Sequence, residues 1–288
     1  GALAAVVLIV SLWLPQPSLR AVVVAGMVWA GVGKGWSSFP PRNDRPWLAD
    51  VANPPTATFD GHFVTIRNVR NFAYRTEADY TPHWETRTYD LDKLTGLDIF
   101  ISKWGSPYIA HTIMSWEFAD QPPIAISIET RKEQGEEYSA VRGFFRQYEL
   151  YYVVADGRDL IGVRASHRGE QVSLYRLFVP PEVARELLVS YLRRANGLAE
   201  HPQWYNAFSH NCTTTIRLHV IQIGVAQPWD WRILVNGFLP EMFYERKRIN
   251  TALPREEVLA KGDVTARAKA ADGAAYFSAR IRDGLPPR

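Results

Sequence analysis

Between Phe63 and Phe178 the chain carries a series of short β-rich runs before any helical period begins, and that order constrains the fold more than any other feature. The runs are Phe63–Ile66, Leu97–Ser102, Tyr108–Phe118, Ile124–Arg131, Glu149–Ala155, Leu160–Ala165 and Val172–Phe178, separated mostly by Gly, Asp or Pro. Two helical patterns follow. Pro180-Pro181 opens the first, which spaces Val183, Leu187, Leu188, Tyr191, Leu192, Ala195 and Leu198 along one face. The second begins near Asn211 and puts Cys212, Ile216, Val220 and Ile223 on one stripe before Gly224 stops it. Strands first and helices after, without βαβ alternation, predict an α+β fold rather than a doubly wound sheet.

The amino-terminal segment has a different character. From Gly1 to Leu14 only Ser11 is polar, and Ala21–Gly33 holds no ionisable residue, with Pro15-Gln16-Pro17-Ser18 and Arg20 between the two runs. This pattern predicts a transmembrane helical hairpin over residues 1–36, with Trp29 and Trp36 suited to an interfacial belt. Because the chain starts at Gly1 rather than Met, the first span reads as clipped. A secretory signal peptide would explain one run, but two runs and no basic leader favour the hairpin. Arg20 lies on one side and Lys34, Arg42 and Arg45 on the other, so charge alone gives a weak vote for a cytoplasmic main domain. Residues 37–60, with five prolines up to Pro55, read as a linker, 61–250 as the main domain, and 251–288 as a helical tail.

Composition narrows the chemistry. The chain is 47% apolar with 10 Trp, 13 Tyr and 13 Phe, which excludes a disordered chain. Its formal charge is only +3, so bulk electrostatics make no case for nucleic acid as a partner. A single cysteine, Cys212, excludes an internal disulfide, a four-cysteine zinc site and an iron–sulfur cluster. No His-x-x-x-His, Cys-x-x-Cys, Walker loop, Gly-x-Gly-x-x-Gly or Gly-x-Ser-x-Gly occurs, so neither a metal nor another cofactor is expected. Nucleophilic cysteine catalysis is the scheme whose parts are present.

Asn211 can cap the second helix and leave the Cys212 thiol in its first turn, facing unpaired N–H groups and the positive dipole end. Such a thiol ionises more easily. Equally, free cysteine is a common core residue, and Cys212 shares its stripe with Ile216 and Val220. His210 and His219 are badly placed to take its proton, and His62, His83, His167 and His201 read as solvated. His111 interrupts the strand Tyr108–Phe118, sharing a face with Ile113 and Ser115, and is either a hydrogen-bonded core residue or a base. On the next run Glu129 could orient that imidazole or pair with Arg131 on its own face, and the pairing is the more ordinary reading. Glu117 is too far along the strand to serve.

The strings Trp104-Gly-Ser-Pro-Tyr-Ile-Ala-His111-Thr, Ser127-Ile-Glu129-Thr-Arg131, Gly135-Glu-Glu137-Tyr-Ser, Gly143-Phe-Phe-Arg146-Gln-Tyr-Glu149 and Trp204-Tyr205-Asn-Ala-Phe-Ser-His-Asn211-Cys212-Thr213-Thr are similar to the N-terminal periplasmic domain of the Bacteroidetes-type lipoprotein N-acyltransferase family. Trp229-Asp-Trp-Arg-Ile-Leu-Val-Asn-Gly-Phe-Leu, Asn68-Val-Arg-Asn-Phe and Thr81-Pro-His-Trp-Glu-Thr-Arg-Thr-Tyr-Asp90 resemble its membrane-anchored members. The resemblance implies a permuted papain-like (NlpC-type) domain with Cys212 as nucleophile and His111 as base. Glu129 becomes the third member by strand geometry. Asn211, Thr213, Arg131, Glu137, Arg146 and Tyr205 are the supporting candidates for the oxyanion, the substrate or the structure.

The activity so implied is acyl transfer from a membrane phospholipid through a Cys212 thioester to an amine such as a lipoprotein N-terminus. The location implied is the bacterial inner membrane, with the main domain in the periplasm. A papain-like peptidoglycan or isopeptide hydrolase, and a catalytically silent membrane-anchored binding module, are the alternative readings.

Overall fold

The computed structural model describes residues 16–137, 139, 143 and 146–288. The chain divides into two compact units, Gly1–Arg42 and Asn43–Arg288. In the first, Pro17–Ser37 forms helix α1, with Pro17 in the first turn, where its missing N–H costs nothing. The predicted transmembrane hairpin is not supported, because no helix among the described residues is long and apolar enough to cross a membrane. Arg20 and Lys34 both lie inside α1. The 13 uncharged residues between them, Ala21–Gly33, span about 20 Å at 1.5 Å per residue, short of a bilayer core of about 30 Å. The first apolar run, Gly1–Leu14, falls outside the described residues.

The second unit is α+β with a mixed sheet. Its strands are β1 (Thr56–Asp60), β2 (Phe63–Arg70), β3 (Ala73–Tyr74), β4 (Tyr80–Thr81), β5 (Trp84–Asp90), β6 (Leu94–Lys103), β7 (Ala110–Phe118), β8 (Ile124–Arg131), β9 (Glu149–Asp156) and β10 (Gln171–Leu177). The main sheet runs β1-β2-β9-β8-β7-β6-β10, with β5 also paired to β2, while β3 and β4 form a separate small ladder. Pairing is antiparallel except between β2 and β9, where Arg70 meets Ala155 in parallel. The central strands are buried on both faces, which explains why they read as near-continuous apolar runs rather than clean alternations.

The run Leu160–Ala165, read as a strand, is helical instead. Asp156 caps the turn Gly157–Leu160 by accepting from Arg158 N, and Val163–His167 continues as a π-helical turn. A short buried apolar run carries no period that separates strand from helix, and here capping decided the matter. Strands β1, β3, β4 and β5 add to the runs expected from the sequence. Part of the segment read as a linker also belongs to the folded unit, since Trp47 and Val51 are buried and β1 begins at Thr56.

Two apolar layers flank the sheet. On one face pack helix α2 (Pro181–Glu200) and helix α3 (Cys212–Gln222), through Leu187, Leu188, Tyr191, Leu192 and Cys212. On the other lie Trp47 and Val51, the helical turns after β9, and the tail through Val264, Ala268, Phe277 and Ile281. The tail is further pinned by Arg282, whose Nε sits 2.9 Å from Oδ2 of the fully buried Asp98. Arg282 also pairs with Glu117.

Candidate active site

The site forms where β7 begins and α3 begins. Asn211 caps α3 in a reciprocal box: its Oδ1 accepts from Thr214 N at 2.9 Å, and Thr214 Oγ1 accepts from Asn211 N at 3.0 Å. Its Nδ2 donates to Ala207 O at 2.9 Å, so the side chain is committed to holding the loop and the helix start. Cys212 is therefore the first helical residue and is almost fully buried. Burial alone would push its thiol up. The His111 charge, a hydrogen bond from His111, and donors from the Thr112 hydroxyl and backbone outweigh that and bring it down to about 6.

His111 is the second residue of β7 and is equally buried. Its Nε2 lies 2.6 Å from Ser127 Oγ and 3.1 Å from Glu129 Oε1. Both contacts use Nε2, so Nδ1 is the ring nitrogen that neither Ser127 nor Glu129 engages. Burial opposes the imidazolium, yet the Glu129 carboxylate and the Cys212 sulfur raise His111 to about 9. Glu129 in turn is held well below the usual carboxylate range by His111⁺, Arg164 and the Ser127 hydroxyl, against the effect of burial. At neutral pH these directions favour a thiolate–imidazolium pair with a carboxylate behind it.

The strand register explains the convergence. Ile113 pairs with Ser127 and Met114 with Ile126, so continuing the antiparallel ladder sets His111 opposite Glu129. The ordinary reading, in which Glu129 pairs with Arg131, is corrected. Arg131 donates to Val51 O, Ala52 O and Asn43 Oδ1, and its guanidinium sits 4.2 Å from the Trp47 ring centroid. It anchors the segment before β1 and leaves the site alone. The cation on Glu129 is Arg164, at 2.7 Å, which also reaches Glu170 Oε2 at 3.1 Å. Arg164 lies in the misread run, so nothing in the sequence pointed to it.

Thr213 bonds Thr112 Oγ1 at 3.3 Å and accepts from Asn236 Nδ2 at 2.8 Å. Asn236 is the second residue that the sequence reading passed over, although it lies within the quoted Trp229 string. Its Oδ1 accepts from Ala110 N and its Nδ2 donates to Ala110 O, both at 2.6 Å, and Nδ2 stands 3.9 Å from Cys212 Sγ. One amide thus ties the histidine strand to the cysteine helix. The adjacent Gly237 is required sterically, since a Cβ there would meet the backbone of Pro107 and Tyr108.

Tyr205 packs against the core and lines, with Trp104, His111 and Glu129, a cavity of about 360 Å³. The rest of its wall includes Arg70, Lys132, Arg168, Asp50 and Glu170, so the space beside the imidazole is charged in both signs. Glu137 and Arg146 are not among its lining residues. Glu137 is exposed and contributes its carbonyl to the Tyr148 hydroxyl at 2.8 Å, while Arg146 is exposed with a left-handed backbone at φ 53°. Tyr138, Phe144 and Phe145, from the same aromatic stretch, fall outside the described residues.

Of the other histidines, His219 is buried between Tyr152 OH at 2.6 Å and Ser190 Oγ at 2.7 Å, and burial lowers it to about 4. That makes it a structural neutral imidazole. The fold does gather carboxylates around one histidine: His62, Asp90 and Asp92 offer ligand atoms within 4.8 Å of one another at the surface. Asp92 there already pairs with Arg185 at 2.7 Å.

No curated protein and no solved structure matches the chain. Residues 80–237, just over half of it, match the family model described as the Lnb N-terminal periplasmic domain. That span holds His111, Glu129, Cys212 and Asn236, and the description assigns the main unit to the periplasm, against the weak charge vote. The chain belongs to the Lnb N-terminal periplasmic domain family.

Proposed function

We propose that this protein is a cysteine-nucleophile acyltransferase that takes an acyl chain from a phospholipid ester. The observation that carries the reading is the Cys212–His111–Glu129 array, with Cys212 and His111 buried and Glu129 3.1 Å from His111, in which each partner favours the charged form of the next. The Cys212 thiolate attacks the ester carbonyl carbon, forming the C–S bond, while backbone N–H groups at the start of α3 face the developing oxyanion. The ester C–O bond breaks, and His111 delivers its proton to the departing lysophospholipid oxygen. An amine, such as a lipoprotein N-terminus, then attacks the thioester, gives its proton back to His111 and releases the thiolate. Glu129, steadied by Ser127 and Arg164, keeps the imidazole oriented and supports its positive charge throughout.

The test is incubation of the protein with detergent-dispersed phospholipid and a diacylated lipopeptide. Lysophospholipid and an acyl adduct on Cys212, detected by intact mass, are expected. A second reading, hydrolysis of a peptidoglycan or isopeptide bond, draws support from the mixed charge of the cavity beside His111, which would suit a peptide stem. Release of stem fragments without an acyl adduct would select it.

A further inference from the structure

The loops that lead into the site carry large apolar side chains on their outer surface. Tyr108, Phe208, Trp229 and Trp231 are each more than half exposed, and Ile109 nearly so. They make a collar of residues on the segments that flank β7 and α3. Tyr108 and Ile109 immediately precede Ala110 and His111, and Phe208 lies in the loop that Asn211 ties down. The Tyr108 and Trp231 rings both pack on Phe238, with centroids 5.8 and 5.6 Å away. Trp229 lies under the Arg217 guanidinium of α3 at 5.5 Å, and Leu218 and Ile221 of that helix are also exposed. A group of large exposed apolar side chains at the entrance to a site marks an interaction surface.

We infer that this collar docks on an anionic lipid surface, with the mouth of the site turned toward the bilayer. Charge selects a lipid surface over a protein partner. No Asp or Glu occurs between Glu200 and Asp230, nor from Trp104 to Trp116, while Lys103 and Arg217 stand beside the collar and Arg232 is taken up by Asp230 and Glu245. Asp230 is the acid nearest Trp231, and it is held between Arg232 at 2.9 Å and Arg246 at 3.0 Å. Exposed Trp and Tyr next to arginine, with little free carboxylate, form the side-chain set that sits at the headgroup boundary. The inference deepens the acyltransferase reading by stating how that site meets its substrate, and it rests on that reading only for the substrate.

The experiment uses the full chain in a Cys212→Ser background, with an environment-sensitive NBD dye placed by Phe208→Cys, by Trp231→Cys, or by Thr58→Cys as an exposed control on β1. Vesicles of phosphatidylglycerol and phosphatidylethanolamine in equal parts should blue-shift the dye and shield it from iodide at 208 and 231, and leave 58 unchanged. Loss of the shift in pure phosphatidylcholine vesicles would confirm the role of anionic charge. No shift at 208 and 231, an equal shift at 58, or a shift that depends on protein concentration without lipid would each overturn the docking surface. In the otherwise unsubstituted chain, W229S/W231S should lower turnover of vesicle phospholipid at least about tenfold and leave cleavage of a short water-soluble ester unchanged. Soluble-ester turnover with no lipid docking overturns the surface alone. Docking with no acyl adduct overturns the acyltransferase reading alone.

Discussion

Glu129 Oε1 lies 3.1 Å from His111 Nε2, and Ser127 Oγ bridges the same two groups with 2.6 Å contacts on either side. The carboxylate thus acts on the imidazole directly and through a hydroxyl. Replacing it with an isosteric amide keeps an oxygen for Ser127 and removes the charge that raises His111. Glu129→Gln should fold normally, shift the upper pKa of the pH–rate profile downward from about 9, and cut kcat/KM at least about tenfold. An unchanged profile would show that Glu129 has only a structural role.

The pH dependence follows from two opposite shifts. Cys212 is depressed to about 6, so the stabilisation from its thiolate is present above the ordinary thiol range and is lost as pH falls through about 6. His111 is raised to about 9, so its contribution is complete below the ordinary imidazole range and is lost as pH rises through about 9. The ion pair should therefore persist between those limits. Iodoacetamide labelling of Cys212 should titrate with a midpoint near 6 in the unsubstituted protein and move toward about 8.5 in His111→Ala. The midpoint is the diagnostic, because a thiolate of higher pKa is intrinsically more reactive and partly offsets its lower population.

Arg164 neutralises two carboxylates, the buried Glu170 and the half-buried Glu129. Arg164→Met leaves both without that cation and should cost about 3–5 kcal/mol, the usual penalty for breaking a buried pair. Urea denaturation reads the loss. Arg164→Lys, which restores the charge without the fork, should recover part of it.

Asn236→Ala removes the bonds to both backbone groups of Ala110 and to Thr213. Leaving a buried donor and acceptor unpaired should cost about 2–6 kcal/mol, at about 1–3 kcal/mol for each. Because the tie joins β7 to α3, the Cys212 labelling midpoint should rise as well. A loss of stability with the midpoint unmoved would mean that Asn236 supports the fold without setting the thiol.

Much of the site was legible before the fold was known, because local signals specify it. Asn211 followed by Cys212 and Thr213-Thr214 is a helix start, and a histidine inside an apolar strand is conspicuous on period alone. The strand Ile124–Arg131 and the helix after Pro180-Pro181 appear where the pattern put them, since their periods and punctuation are unambiguous.

What the sequence could not decide depends on partners distant in the chain. Glu129 chose His111 and Arg164 over its neighbour Arg131 because strand register and the turn after β9 brought those groups to it, while Trp47 and Asn43 took Arg131 away. Asn236 gained its role only when its loop closed on Ala110, 126 residues earlier. The run Leu160–Ala165 could be strand or buried helix until the Asp156 cap settled it. Local periodicity and capping act over one or two turns and are written in the residues themselves, whereas the pairing of buried charges is set by which elements the tertiary fold makes neighbours.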